Sequence, residues 1–474
     1  MKYRIFLPII LWILLSSHVL CASESSHVAL PNPDKIIFPP IHFVQPQAQR
    51  VVLENGIILY IYEDHELPLL NIEAVVRCGS NYDPIGKEGL AELTGMALRT
   101  GGTSTMSGNA IDDMLEYFAG TLSVSMNRDS GSIHMSLLKK DLDDGLNVFS
   151  QIVKNPVFEE NKLKLAKDLK NEELRRIADD PQKLAFREFK KLLYVDNPAG
   201  RFSSITSVSS IQRDDLVQFY KKFFNPQNIM ISVTGDISRQ QAISKIQQYL
   251  GDWNETKKKF DIPPFPVKQK GNVYFLFKNI PQSIIISAQL APGKKDRDSY
   301  PFEILDFIVG SGGFRSRIFK EVRNNLGLAY STGSFYSKKG NYGVFGAYAM
   351  TKSDSTATVL ALIQSIIKDV SINVVDKNEL AGAIKSINNN FIFSFLSADQ
   401  IAHQQLMIEY EALPRDYLVT YREKLSQVQA EDIRRVAMKY LSSDNAVILI
   451  VGNENAHNQL LANSIRFIKI ESSP

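Results

Sequence analysis

Apolar positions along the chain change period, and they do so in the same order twice. Ile211, Leu216, Phe219 and Phe224 fall at helical spacing, and after Asn228 a mostly apolar run passes through Ile231 and Val233 to Gly235. That pattern predicts an amphipathic helix, a short turn and a buried strand. Val428, Ile433, Val436, Leu441, Asn445, Ile448, Ile450 and Gly452 repeat it, every member at one constant offset from its counterpart. Earlier segments correspond more loosely. Residues 71–79 and 89–98 read as strand then helix, as do 283–293 and 300–310. Residues 156–177 and 374–395 each read as one long helix. A duplicated α+β domain of about 200 residues per copy accounts for this. Helices and strands alternate too irregularly for a doubly wound sheet.

The remaining pattern divides the chain. Residues 51–64 form two strand-like runs around Asn55-Gly56, a hairpin signal. Lys2 and Arg4 precede an apolar stretch over 5–15, followed by Ser16, Ser17 and small residues around Cys21. This reads as a signal peptide over 1–22, too short to span a bilayer as an anchor. A secreted, periplasmic location is expected, with a lipoprotein at Cys21 as the variant reading, opposed by the bulky Leu20. Residues 23–49 form a Pro/Ser/Gln-rich extended leader, and 50–254 the N-terminal domain. A linker over 255–271 carries Lys257–Lys259 and Pro263-Pro264, and 272–474 is the C-terminal domain. No other segment reads as membrane-spanning.

Charge and cysteine content remove some functions. Lys and Arg number 54 and Asp and Glu 51, a net charge of +3 that falls to +1 without Lys2 and Arg4. Such a balance argues against a nucleic-acid partner. Only two cysteines exist, so loss of Cys21 leaves Cys78 unable to form an internal disulfide. Within its strand, Cys78 reads as a small buried hydrophobe.

Candidate chemistry is sparse. No two of the seven histidines lie within a helical turn of each other, so no helical zinc pair exists. There is no Gly-x-Ser-x-Gly elbow. Gly310-Ser311-Gly312-Gly313 lacks the Gly-Lys-Ser/Thr of a phosphate loop and reads as a turn or close backbone approach. In the helix over 159–179, Leu163, Ala166, Leu169, Glu173 and Ile177 share one face, which places Glu173 in an apolar stripe. Such a carboxylate is paired, protonated or metal-bound, or it lies at the stripe's edge and reaches solvent or a nearby arginine. Arg323 and Tyr330 lie in a segment read as a helix, then Gly327, then the start of a strand. Both can donate hydrogen bonds to a carbonyl, or serve as a surface ion pair and a core cap.

Residues 312–330, G-G-F-R-S-R-I-F-K-E-V-R-N-N-L-G-L-A-Y, resemble the C-terminal signature of the insulinase-like (pitrilysin) zinc metallopeptidases. The mitochondrial-processing-peptidase and bacterial branch is nearest in size. Residues 51–96, with Asn55-Gly56, Gly79-Ser80 and Gly89-Leu90-Ala91, resemble that family's opening. The resemblance covers roughly 51–452 and implies two homologous domains, each a mostly antiparallel sheet with helices on one face. The family's His-x-x-Glu-His zinc motif falls on Glu92, Leu93, Thr94, Gly95 and Met96. Both histidines and the catalytic base are therefore replaced. The family's third ligand, a glutamate at a set distance beyond the second histidine, falls on Glu173 when counted from Met96. Two carboxylates and a thioether make a poor zinc site, and glycine cannot activate water. No autonomous peptidase activity and no zinc bound by this chain are expected. Arg323 and Tyr330 match the family's substrate-binding pair. The resemblance thus implies the non-catalytic half of a heterodimer, its zinc supplied by a catalytic partner subunit carrying His-x-x-Glu-His, with peptides as substrate. The alternatives are a structural or interaction protein of the same superfamily, and an enzyme whose metal site is rebuilt from Glu92, Glu173 and His134.

Overall fold

The computed structural model describes residues 43–254, 271–442 and 444–472. The expected signal peptide, most of the leader and nearly all of the linker lie outside the described residues.

Two six-stranded sheets organise the chain. The first contains β1 (Gln49–Val52), β2 (Ile58–Glu63), β3 (Leu69–Val76), β4 (Thr121–Met126), β5 (Gly131–Leu138) and β6 (Ile229–Gly235). Their order is β1-β2-β6-β3-β5-β4, and only β2 and β6 run parallel. The second contains β7 (Val273–Phe277), β8 (Gln282–Ala291), β9 (Ala329–Lys338), β10 (Gly343–Lys352), β11 (Val447–Gly452) and β12 (Ile468–Ile470). Its order is β12-β7-β11-β8-β10-β9. Five strands therefore repeat in the same order, β2-β6-β3-β5-β4 against β7-β11-β8-β10-β9. The sixth differs: β1 is an antiparallel hairpin arm on β2, and β12 pairs in parallel with β7. The hairpin turns through Gly56 at φ +94°, a conformation open to glycine.

The repeat in the sequence extends to single residues. Helix Arg213–Phe223 matches helix Ala430–Tyr440. Each opens with a carboxylate accepting from a backbone N–H three residues back, Asp215 from Gln212 (2.7 Å) and Asp432 from Gln429 (3.0 Å). The strands that follow, β6 and β11, are buried throughout, as the continuous apolar runs require.

One face of the first sheet packs on the helices of its own half, Leu90–Thr100 and Leu142–Lys154 among them. The second face extends the expected one-sided arrangement. Helix Pro181–Leu193 leaves the first half and buries Leu184, Ala185, Phe189 and Leu193 against Ile286, Ala288 and Leu449 of the second sheet. Its counterpart in the repeat, helix Ala398–Tyr410, places Ala402, Leu406 and Tyr410 against Tyr60, Val75 and Met230 of the first. Each half lends one helix to the other's sheet.

Polar groups fix this exchange. Arg50 reaches Glu409 through two bonds of 2.6 and 2.8 Å, and Tyr60 donates to the same carboxylate at 2.6 Å. Arg77 donates to the Tyr410 carbonyl, and its guanidinium lies 4.3 Å over the Tyr410 ring. His403 Nδ1 is 2.8 Å from Glu73 Oε2, and this contact raises the His403 pKa against the opposing effect of burial. A raised histidine pKa stabilises fully below the unfolded value of about 6.5 and loses that contribution as pH rises through the folded value. The thermal midpoint therefore falls as pH rises from about 6.5 through the folded value. His403→Gln flattens that slope in scanning calorimetry, and an unchanged slope would detach the effect from this pair.

Helix Ser353–Ile372 is, against expectation, long and apolar enough to cross a bilayer by length and composition. Val359, Leu360 and Ile363 are buried within the fold, as in an amphipathic core helix.

Candidate functional site

The helix Leu90–Thr100 begins at Gly89, which has φ +105°. Its first turn is capped from outside, because both oxygens of Asp83 accept backbone N–H bonds, from Gly89 and Ala91, each 2.8 Å. Burial pushes the Asp83 carboxyl up to about 7, against those two donors. This helix carries the positions of the zinc motif.

The remnant positions do not assemble a metal site. Glu92 and Glu173 do converge, but on the ammonium of Lys170. Lys170 Nζ is 2.7 Å from Glu92 Oε1 and 3.0 Å from Glu173 Oε2. The Lys170 side chain is 7% exposed, so a fixed internal cation holds both carboxylates. Gly95 is buried, and a Cβ there would meet Met126 Cγ at 2.8 Å. Met126 thus fills the space beside the missing base. Met96 packs against the apolar core. His134 sits on β5 opposite Glu73 and Ser123. No group of three or more His, Cys, Asp or Glu side chains fit to hold a metal occurs among the described residues. Zinc does not fit this donor set, in which the ammonium already engages both carboxylates, and the rebuilt site from Glu92, Glu173 and His134 is not formed.

Glu173 lies beside the buried stripe and reaches solvent, one of the readings its spacing left open. Along helix Glu160–Ile177 the buried side chains are Leu163, Ala166, Lys170 and Leu174. Leu169 and Glu173 are more than half exposed, on the neighbouring face. Both sets satisfy three- and four-residue steps. The structure uses the set containing lysine, because its methylene stem packs among apolar groups while its head is neutralised. Lys170→Met costs about 1–2 kcal/mol in urea unfolding, modest because both carboxylates left behind reach water. A loss near zero would mean that the ion triad contributes nothing to stability.

Arg323 and Tyr330 are brought together elsewhere. Arg323 lies in a π-helix, Phe319–Asn325, where a regular helix was expected. Gly327, at φ +62°, turns the chain into β9, which Tyr330 enters as expected. The Arg323 guanidinium lies 4.8 Å from the Phe319 ring centroid and 5.1 Å from that of Tyr330. Tyr330 is 79% exposed, so it caps no core. Contact with the two rings holds the guanidinium, and no hydrogen bond or ion pair engages it among the described residues.

Gly310 makes the close approach its run suggested, since a Cβ there would collide with the backbone nitrogen of Ser334. Cys78 is fully buried, and burial pushes its thiol pKa up, away from reactivity. Sequence reasoning missed Lys170 and Asp83. The only local trace of Lys170 was its alternative place on the apolar face of the 160–177 helix.

Residues 61–204 match the family model of insulinase (peptidase family M16), and 210–387 match that of the peptidase M16 inactive domain. The chain belongs to the insulinase-like peptidase family, as an inactive member. It is 24% identical over 412 residues to an uncharacterized zinc protease of Rickettsia felis, covering 85% of this chain and 97% of that one. It is 25% identical to the non-peptidase homolog YmxG of Helicobacter pylori, over 83% of this chain and 91% of that one. A crystal structure of a peptidase M16 inactive domain from Pseudomonas fluorescens superposes with a TM-score of 0.79 at 23% identity, over 86% and 98% of the two chains. That likeness carries the fold alone.

Proposed function

We propose that this chain is the non-catalytic, substrate-binding subunit of a secreted or periplasmic heterodimeric zinc metallopeptidase. Arg323 and Tyr330 grip the peptide backbone, and a partner subunit carrying His-x-x-Glu-His supplies the zinc and the catalytic base. One contrast carries this reading. The metal positions are closed by Lys170 and Met126, while Arg323 and Tyr330 stand together with no hydrogen-bond or ion-pair partner among the described residues. An arginine and an exposed tyrosine that only maintained the fold would be expected to be paired or packed. β4 adds support as a sheet edge, since an edge strand can accept an extended peptide through its unpaired backbone groups.

Affinity capture of the mature chain from its host, with sequencing of what co-purifies, tests this. A similar-sized chain bearing His-x-x-Glu-His is the expected result. Recovery alone, or only with chains lacking that motif, overturns the peptidase role and leaves a structural or interaction protein.

A further inference from the structure

A cavity of about 890 Å³ opens beside the Lys170 triad, and its charges do not balance. Each carboxylate on its wall is already engaged. Glu92 and Glu173 share Lys170, and Glu172 pairs with Arg176 at 2.8 Å. Asp83 caps the helix, and Glu88 accepts from Gly86 N–H at 3.1 Å.

The cations behave differently. Arg128, in the turn between β4 and β5, stacks 4.5 Å over the Phe202 ring. Its Nη1 is fully enclosed and meets no acceptor among the described residues. The adjacent Asp129 pairs with Lys339 at 3.3 Å. Arg187 spends one nitrogen on the Ser203 carbonyl, 3.0 Å away, and its enclosed Nε has no acceptor among the described residues. Lys190, one helical turn further along the lent helix, faces the same cavity. Its pKa is lowered by burial and by the charge of Arg128. Enclosed donors without acceptors are costly, and a guanidinium cannot shed its charge to escape that cost. These side chains also line the cavity, where an anion would supply the missing countercharge.

We propose that this cavity is a carboxylate-binding subsite. Arg128 offers its N–H fork, Arg187 and Lys190 add donors and countercharge, and the group bound is an acidic side chain or the free C-terminus of a peptide. The planar fork matches a carboxylate in two parallel bonds. The aromatic walls of Phe186 and Phe202 suit the hydrocarbon stem or chain that carries it. This subsite rests on the peptide-binding reading above and adds a preference to it.

The test is fluorescence anisotropy of the full mature chain with three labelled decapeptides. One contains a single Glu and ends in an amide. The second has Gln at that position and the same amide. The third has Gln and a free C-terminal carboxylate. At least one carboxylate peptide binds about tenfold or more tighter than the neutral one, the scale of one charge-assisted hydrogen bond. The first peptide identifies a side-chain carboxylate as the source, the third a terminal one. Arg128→Gln abolishes the preference for the carboxylate peptide over the neutral one. Lys190→Gln, which removes the charge and keeps a polar head, reduces it. Without peptide, Arg128→Gln also unfolds at a higher temperature than the parent, because an uncompensated charge is gone. Equal binding of all three peptides overturns the subsite and leaves peptide binding standing. Binding of none overturns both.

Discussion

Replacing Phe189 with alanine lowers the unfolding free energy by about 3–5 kcal/mol, the range for emptying a fully buried aromatic position. Phe189 is 2% exposed and belongs to the first half, yet the atoms that lose contact are those of Ile286, Ala288 and Leu449 in the second sheet. Its counterpart in the second copy of the repeat is Leu406, fully buried against the first sheet. Leu406→Ala costs about 2–5 kcal/mol by the same argument. Urea denaturation followed by circular dichroism reads both. Because each half's sheet is completed by the other's helix, either substitution shifts one cooperative transition. A split into two transitions, only one of them displaced, would show that the lent helices do not couple the halves.

The second large effect is functional. If the chain pairs with a catalytic subunit as proposed, Arg323→Ala combined with Tyr330→Phe lowers kcat/KM of that pair by about 30- to 1,000-fold or more. One transition-state hydrogen bond from such a donor is worth about 2–4 kcal/mol. The two losses will not simply add, since both donors act on one bound peptide. Tyr330→Phe alone keeps the ring on which Arg323 stacks and removes only the hydroxyl, so it isolates that donor. Arg323→Lys keeps the charge and loses the fork. Cleavage by the assembled pair that is indifferent to all three variants would strip these residues of the role proposed for them.

The duplication was legible because burial imposes the same period on both copies, and one constant offset separates helix from helix and strand from strand. The Asn55-Gly56 hairpin was legible because its turn demands a particular backbone. The lent helices were not. An amphipathic pattern states that a helix will bury one face, but nothing local states against which sheet. The same limit hid the Lys170 triad. Glu92 and Lys170 are 78 positions apart, and only the packing of two helices brings them to 2.7 Å. The exposure of Glu173 was open in the sequence because two overlapping sets of residues satisfy helical spacing. Neither spacing nor composition records whether a lysine head will find carboxylates. The π-helix around Arg323 was equally hidden, since its hydrogen-bond shift leaves no compositional mark.

The exchanged helices bear on what this architecture descends from. A single copy of the repeat, cut free, would carry an orphan helix and an uncovered apolar face on its sheet. Both faults are repaired at once when two such copies trade helices about a twofold axis. Two such copies on separate chains would therefore be expected to fold only as an intertwined pair, which the single polypeptide holds together covalently. Once the copies shared a chain, the two were free to diverge. The Lys170 triad lies in one copy and the Arg323–Tyr330 pair in the other, an asymmetry closed to a symmetric pair of identical chains.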